Sequence, residues 1–323
     1  MKAPRFWYSR GIAASAASLA LAPAGGIWAI GASLRSLGRG ARATLPVVCV
    51  GNIVVGGAGK TPVAMSLAHR LPGAQFLSRG HGGSVAGPHQ VDVMHDDHAL
   101  VGDEPLLLAR IAPCWVARDR AAGARAAAGQ GASCVVMDDG YQDPSLIKDV
   151  SLLVVDGHVG FGTGRCIPAG PLRESIRAGV ARAQAVVLLG EDRVGVLRRL
   201  RDIPVLRAKL EPESEAESLA GHRVVAFAGI GRPAKFFHML ESLGAKLVET
   251  RAFPDHHPFT PAEIGHLIDM ADGHSAALMT TTKDFVRIPP HQRDKVTVMR
   301  VAVAWDDEGA LLRILDPLLE ARS

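Results

Sequence analysis

The run Gly56-Gly57-Ala58-Gly59-Lys60-Thr61 has the residue types needed to hold a chain of phosphates. Glycines let a backbone curl until successive N–H groups face phosphate oxygens, and a helix that starts there adds the positive end of its dipole. Lys60 is spaced to reach the β- and γ-phosphates of a nucleotide, and Thr61 to hold Mg²⁺ through its hydroxyl. The loop as a whole spans Val54, Val55, Gly56, Gly57, Ala58, Gly59, Lys60 and Thr61, and Val54 stands where the usual pattern opens with glycine. A second signal follows an apolar run. Cys134-Val135-Val136-Met137 ends in Asp138-Asp139, placed so that a carboxylate at a strand end meets the Mg²⁺ hydration shell. An aspartate at a strand end is as easily a turn residue. Paired with the glycine loop, it predicts a nucleoside triphosphate site with Mg²⁺, and it leaves open which aspartate is nearer the metal.

The elements that must position these residues are legible in the same chain. The sequence has 323 residues, 48% hydrophobic and 21% charged, which is the composition of a globular protein large enough for two compact units. A net charge of +4 is mildly basic and suits anionic substrates or headgroups. Aromatics at 5% argue against a stacking platform for nucleic acid. Cys49, Cys114, Cys134 and Cys166 form no CxxC pair, so neither a disulfide framework nor a zinc ribbon is expected.

From residue 46 apolar runs without alternation are separated by helical stretches, the mark of strands buried on both faces of a largely parallel sheet. Expected strands are 46–53, 75–78, 133–137, 152–155 and 185–189, and expected helices are 60–70, 103–111, 120–128 and 172–183. Acidic, polar sequence around 211–221 reads as a linker. Beyond it come strands at 222–228, 246–251, 277–280 and 296–303, and helices at 233–243, 261–271 and 310–322. The fold class is therefore α/β, a P-loop sheet with helices on both faces plus a second, smaller α/β domain. The expected division is 1–42 as an apolar, membrane-associated segment, 43–212 as the P-loop domain, 213–221 as linker and 222–323 as the smaller domain.

Residues 11–34 carry no charge. That is long enough to cross a bilayer, which takes about 20 apolar residues. Alanine and serine dilute it, however, and Pro23, Gly25 and Gly26 would bend it. Lys2, Arg5 and Arg10 on one side and Arg35, Arg39 and Arg42 on the other give no orientation. A cleaved leader conflicts with a downstream need for cytoplasmic ATP. The expectation is a helix in or on the inner face of a membrane.

The loop also resembles that of partition and septum-site ATPases, but those carry a lysine where this chain has Val55, and no Asn-Lys-x-Asp guanine motif is present. Further motifs run in order from about residue 46 to 288: Val50-Gly51-Asn52, Leu77-Ser78-Arg79-Gly80, Gly102-Asp103-Glu104-Pro105, Asp138-Asp139-Gly140-Tyr141-Gln142-Asp143, Pro168-Ala169-Gly170-Pro171-Leu172-Arg173-Glu174, Phe227-Ala228-Gly229-Ile230-Gly231-Arg232-Pro233, Phe253-Pro254-Asp255-His256-His257 and Thr281-Thr282-Lys283-Asp284. Together they resemble the tetraacyldisaccharide 4′-kinase family of lipid A biosynthesis.

The resemblance implies transfer of the ATP γ-phosphoryl to the 4′-hydroxyl of an acylated glucosamine disaccharide 1-phosphate. It implies work at the cytoplasmic face of the bacterial inner membrane, with the apolar N-terminus resting on the bilayer or anchored by one helix. The partner surface is that membrane, not nucleic acid. It also implies Asp103 as the proton acceptor, against the plain alternative of a helix cap, and His256 or His257 as its partner across a cleft. Lys60 and Asp139 complete the expected catalytic set. Arg173 is expected on ATP phosphates or the substrate's 1-phosphate, and Glu174 beside the metal. Arg79, Arg118 and Arg120 are weaker phosphate clamps, and Arg198 to Arg201 reads as a solvated helix face. The rival reading is a membrane-recruited switch ATPase with no lipid chemistry.

Overall fold

The computed structural model describes residues 4–9, 11–36, 38, 40–200, 202–213 and 219–320. Lys2, Arg10, Arg39, Arg201 and linker residues 214–218 lie outside them. The chain opens with helices α1 (Ile12–Ala20) and α2 (Ala22–Ser36). It then alternates β1 (Val47–Gly51), α3 (Lys60–Ala68), β2 (Ala74–Ser78), β3 (His89–Gln90), α4 (His98–Val101), α5 (Asp103–Leu108) and β4 (Cys114–Val116). Next come α6 (Arg120–Gly129), β5 (Cys134–Asp138), β6 (Val150–Asp156), α7 (Ile176–Val180), β7 (Ala185–Leu189) and β8 (Val205–Pro212). The remainder is β9 (Arg223–Ala228), α8 (Pro233–Ser242), β10 (Lys246–Ala252), α9 (Pro261–Gly273), β11 (Ala277–Thr281), α10 (Thr282–Phe285), β12 (Thr297–Met299), β13 (Val301–Trp305) and α11 (Glu308–Glu320).

The strands form two sheets, ordered β13-β8-β7-β6-β1-β5-β2-β4-β3 and β10-β9-β11-β12. The smaller sheet is wholly parallel, and the larger is parallel from β8 to β4. In the larger sheet β13 and β3 run antiparallel at the two edges. Every residue of β1, β5, β6 and β7 is buried, as continuous Val/Leu runs require when both faces are covered. β1 lies between β5 and β6, so the glycine loop at its carboxyl end opens at the point where chain order diverges, the usual place for a ligand crevice.

Three sequence expectations need correction. Residues 296–303 are not one strand: β12 joins the small sheet, and β13, after Arg300 alone, pairs with β8 in the large one. The expected 222–323 unit therefore does not hold together, since β13 and α11 return to the nucleotide sheet. There Leu311, Leu315 and Leu318 share one apolar core with Val63 and Leu67 of α3. Trp305 Nε1 donates to Ser66 Oγ at 2.9 Å, and Arg70 pairs with Glu308 at 2.8 Å. Second, β8 is an additional strand, and it takes in Glu211 and Pro212 at the start of the acidic stretch. Third, the helix expected over 172–183 is only α7, because Ser175 caps it by accepting from Ala178 N and Leu172 is held as a bridge to Val54.

α1 and α2 are bent by 55° between them, and no single helix among the described residues is long and apolar enough to cross a membrane. The inner side of the pair is seated on the segment 161–173. Ser18 Oγ donates to Ala169 O, Trp7 Nε1 to Pro168 O and Trp28 Nε1 to Arg173 O. A Cβ on Gly25 would lie 2.9 Å from Cys166 O, so this contact needs glycine. On the outer side Ile27, Ile30 and Leu34 are 74%, 64% and 64% exposed, a stripe at helical spacing.

Because α11 backs the phosphate-loop helix, Leu315→Ala is expected to destabilise the fold by about 2–5 kcal/mol. The exposed neighbour Leu312→Ala should change it by less than about 1 kcal/mol. Urea denaturation of both variants, with and without ATP, checks this, and equal effects would place α11 outside the nucleotide sheet's core.

Candidate active site

The glycine loop runs from β1 to α3 and is stapled by a buried side chain. Asn52 Nδ2 donates to Val54 O at 2.8 Å, and its Oδ1 lies 3.4 Å from Lys60 Nζ. Val54 departs from the usual glycine because it pairs with Leu172, and Val55 N donates to Pro171 O. Such a strand-like pair needs no left-handed residue. The left-handed turns come later, at Gly56 (φ 109°) and Gly59 (φ 84°). A Cβ on Gly59 would strain this left-handed backbone and also meet Leu189 Cδ1 at 2.5 Å, so glycine is favoured there. Gly56 and Gly57 face open space, which leaves their backbone accessible to a ligand.

Thr61 Oγ1 donates to Asp138 Oδ2 at 2.8 Å, joining the first helical turn to the end of β5. The other oxygen, Asp138 Oδ1, is buried and has no hydrogen-bond partner among the described residues. Burial, reinforced by the charge of Glu104, pushes this carboxyl up to about 7 despite Lys60 and the Thr61 hydroxyl. A buried acid left short of positive charge beside a threonine hydroxyl is the donor set that a hard divalent cation satisfies, so Mg²⁺ fits here. Asp139 is turned elsewhere. It sits at φ 56° directly after β5, with Lys60 Nζ 3.5 Å and Arg173 Nη1 3.4 Å from its Oδ1. Burial pushes it up, but these two cations outweigh that and hold it below the usual carboxylate range.

Glu174, expected beside the metal, is engaged by protein donors. Its carboxylate is forked onto Arg182 at 2.7 and 2.8 Å, and Gln142 Nε2 donates to Oε1 at 3.0 Å. Glu174 thereby braces Gln142, which accepts from Arg173 at 3.2 Å and donates to Asn52 O at 2.8 Å. Arg120 is also no surface clamp: it is buried, 3.6 Å from Asp143.

Asp103 starts α5 and is buried, reaching the site from the large sheet. Opposite it, His256 stands at φ 59° on the loop after β10, from the small sheet. Its Nδ1 lies 3.0 Å from Asp103 Oδ2, a charge contact and not an aligned hydrogen bond, so among the described residues this oxygen still has an acceptor lone pair to offer a substrate. Burial pushes Asp103 up, yet His256, Lys283 and Arg287 together hold it down to about 2. Arg287 is almost wholly buried and fixed by Asp284 Oδ1 (2.8 Å), Gly229 O (3.2 Å) and His257 O (3.0 Å), with Nε 3.6 Å from Asp103 Oδ2. His257, the alternative partner, instead bonds Glu263 at 3.0 Å within the cap of α9 and stacks on Phe253.

A second bridge joins the sheets. Asp156, buried at the end of β6, accepts from Arg232 Nη2 and lies 3.3 Å from Lys235 Nζ, both from the start of α8. Arg232 Nη2 also reaches Gly57 O of the phosphate loop at 3.4 Å. Sequence reasoning assigned no role to Asn52, Gln142, Asp156, Arg232 or Arg287. Asp156 carried a usable signal, an acid ending an apolar strand as Asp138 does. Arg287 carried none, since its meaning arises only when the loops after β9 and β10 fold over it.

Comparison with known proteins agrees with this geometry. The family model for tetraacyldisaccharide-1-P 4′-kinase matches residues 17–320. A tetraacyldisaccharide 4′-kinase of Rhodospirillum centenum is 54% identical over 330 residues, covering 100% of this chain and 98% of the relative. One from Rhodospirillum rubrum is 50% identical, covering 100% and 99%. The crystal structure of LpxK from Aquifex aeolicus, an "apo" form in complex with ATP, superposes with a TM-score of 0.77 at 26% identity, covering 93% of this chain and 99% of that one. These likenesses leave the switch ATPase without support. A phosphate loop, a strand-end acid beside its threonine and a buried carboxylate facing a histidine from a second sheet thus occur in a chain that, along nearly its whole length, belongs to the tetraacyldisaccharide-1-phosphate 4′-kinase family.

Proposed function

We propose that the chain transfers the γ-phosphoryl group of ATP to the 4′-hydroxyl of an acylated glucosamine disaccharide 1-phosphate, at the cytoplasmic face of the inner membrane. The observation that carries this reading is Asp103 Oδ2, a buried, ionised oxygen with an acceptor position still free, beside a site suited to phosphates. Helix caps do not need a cationic surround of this kind, and α5 gains only a single Glu104 N–H bond from Asp103 Oδ1, at 3.1 Å.

Phosphoryl transfer asks for charge neutralisation, alignment and a proton acceptor. Lys60 and the loop's backbone N–H groups neutralise the phosphates, and Thr61 with Asp138 would hold Mg²⁺, which when bound offsets the charge that develops on the phosphate oxygens. Arg173 is held by Asp139 and Gln142 where it can turn towards a phosphate. Asp103 receives the hydroxyl proton. A base held down to about 2 is weak, but in a loose transition state the hydroxyl loses its proton late, when it has become strongly acidic. His256 orients that base. The bridge from Asp156 to Arg232 and Lys235 keeps the small sheet over the phosphates and limits the entry of water.

The outer stripe of α2, Ile27, Ile30 and Leu34, supports contact with the bilayer, with Trp28 and Arg35 near its edge. Because Trp28 also bonds Arg173 O, the membrane face and the nucleotide face share one short segment.

With γ-labelled ATP and tetraacyldisaccharide 1-phosphate, label is expected at the 4′ position, and Lys60→Ala and Asp103→Asn are each expected to lower kcat/KM by about 10³-fold. Asp103→Asn should still bind ATP. If it also keeps transfer within a few fold, Asp103 is a cap and not the base. In flotation with anionic vesicles, Ile27→Ser/Ile30→Ser/Leu34→Ser should weaken membrane binding by about tenfold or more. Unchanged flotation would remove α2 from the membrane contact.

A further inference from the structure

The reading of Asp103 as the base leaves open what sets the protonation pattern of its partner. His256 has different neighbours at its two ring nitrogens. Nδ1 faces Asp103 Oδ2 at 3.0 Å, and Nε2 lies 3.2 Å from the ammonium of Lys283. An ammonium has three donors and no acceptor, so an imidazole nitrogen in contact with it must present its lone pair. Lys283 keeps its charge: burial pushes its pKa down, but Glu104, Asp103 and Asp255 outweigh that and raise it. The ring hydrogen is then left on Nδ1, the nitrogen that faces the base.

Lys283 is itself held for this task. Its Nζ is 3.2 Å from Glu104 Oε1, the residue after Asp103 on α5. Its backbone belongs to α10, a single turn capped by Thr281, whose hydroxyl accepts from Asp284 N at 3.2 Å and donates to Asp284 Oδ2 at 2.6 Å. Gly229 N donates to the other oxygen of Asp284 at 2.9 Å, tying this turn to the end of β9. Among the described residues, the remaining charged or titratable groups facing His256 are Asp255 on its own loop, 3.9 Å from Nε2, Arg287 beyond the shared Asp103 oxygen, and the His81 ring at 6.2 Å. None of them donates to Nε2 in place of Lys283.

We infer that Lys283 is a positioning residue that fixes the tautomer of His256, with the hydrogen on Nδ1, the ring nitrogen on the Asp103 side, and the lone pair on Nε2. This inference rests on the proposed role of Asp103. It has a mechanistic consequence: with Nε2 engaged, His256 does not take the acceptor's proton, and Asp103 keeps it until products leave. His256 orients the carboxylate and does not relay the proton.

The test is ¹⁵N NMR of the full-length, histidine-labelled protein in detergent, with His256 assigned by its loss in His256→Gln. Wild type and Lys283→Arg are expected to show hydrogen on Nδ1, whereas Lys283→Met should shift the ring towards the Nε2–H form. In steady-state assays with the tetraacylated acceptor, Lys283→Met is expected to lower kcat by about tenfold or more with KM for ATP unchanged, and Lys283→Arg to recover most of it. Glu104→Gln, which breaks the ion pair but keeps the ammonium at Nε2, should retain the wild-type tautomer. Since Lys283→Met buries an unpaired Glu104, the double variant Glu104→Gln/Lys283→Met checks that the spectral change does not come from misfolding. A wild-type ring protonated on Nε2, a tautomer indifferent to Lys283→Met, or a defect confined to KM for ATP would each overturn the inference. Wild type that labels no lipid while its spectrum shows Nδ1–H would sink the proposed reaction and leave the tautomer assignment standing.

Discussion

The structure turns on one contact between two sheets, the approach of His256 to the buried carboxylate of Asp103 at 3.0 Å. Neither residue is useful alone. A carboxylate this deep would lose its charge without cations, and a histidine on the loop after β10 would face solvent without the large sheet opposite. The remaining cross-links serve that approach. Asp156 takes Arg232 and Lys235 on one flank, Glu104 takes Lys283 on the other, and Arg287 fills the space behind Asp103. All three join groups that are at least partly buried, where ion pairs resist screening but are costly to break singly.

The same electrostatics couple chemistry to stability. Because the folded state holds Asp103 at about 2, below the usual carboxylate value, its ionisation favours the folded protein above that usual value. The contribution is lost as pH falls towards 2. Asp138 is the opposite case, pushed up to about 7 by burial and by its acidic neighbour. The site is therefore asymmetric before any ligand arrives. One carboxylate is surrounded by protein cations, and the other is short of positive charge. This division is consistent with the roles proposed above, proton acceptor for Asp103 and metal support for Asp138, although both are aspartates at the ends of elements.

Much of this was legible from residue order. The loop 54–61, the strand ending in Asp138 and the strand–helix alternation each follow from local rules, and the buried runs of β1, β5, β6 and β7 could hardly be read otherwise. What was not legible depended on partners distant in the chain. β8 escaped because Arg207, Lys209 and Glu211 alternate with its apolar residues, as they do on a strand near a sheet edge, and so resemble solvated sequence. The break at Arg300 escaped because both flanks are β-branched, and only the two sheets decide which flank goes where. The partner of Glu174 was not legible either, because Arg182 lies eight residues further on, beyond the end of α7. Which aspartate faces Thr61 was likewise a matter of the left-handed turn at Asp139, which points that side chain towards Lys60 and Arg173.

The N-terminal helices add a constraint of their own. Their seat on 161–173 ends at the backbone of Arg173, whose guanidinium lies against Asp139, so a single residue links the N-terminal helices to the phosphate loop's surroundings. The central claim, though, is the pairing across the cleft. A double-mutant cycle with Asp103→Asn and His256→Ala, read in kcat for lipid phosphorylation, tests it most directly. The account predicts strong coupling, with the double variant no slower than Asp103→Asn alone. Losses that simply multiply would mean that the two residues act independently, and would contradict the pairing on which the structure is said to depend.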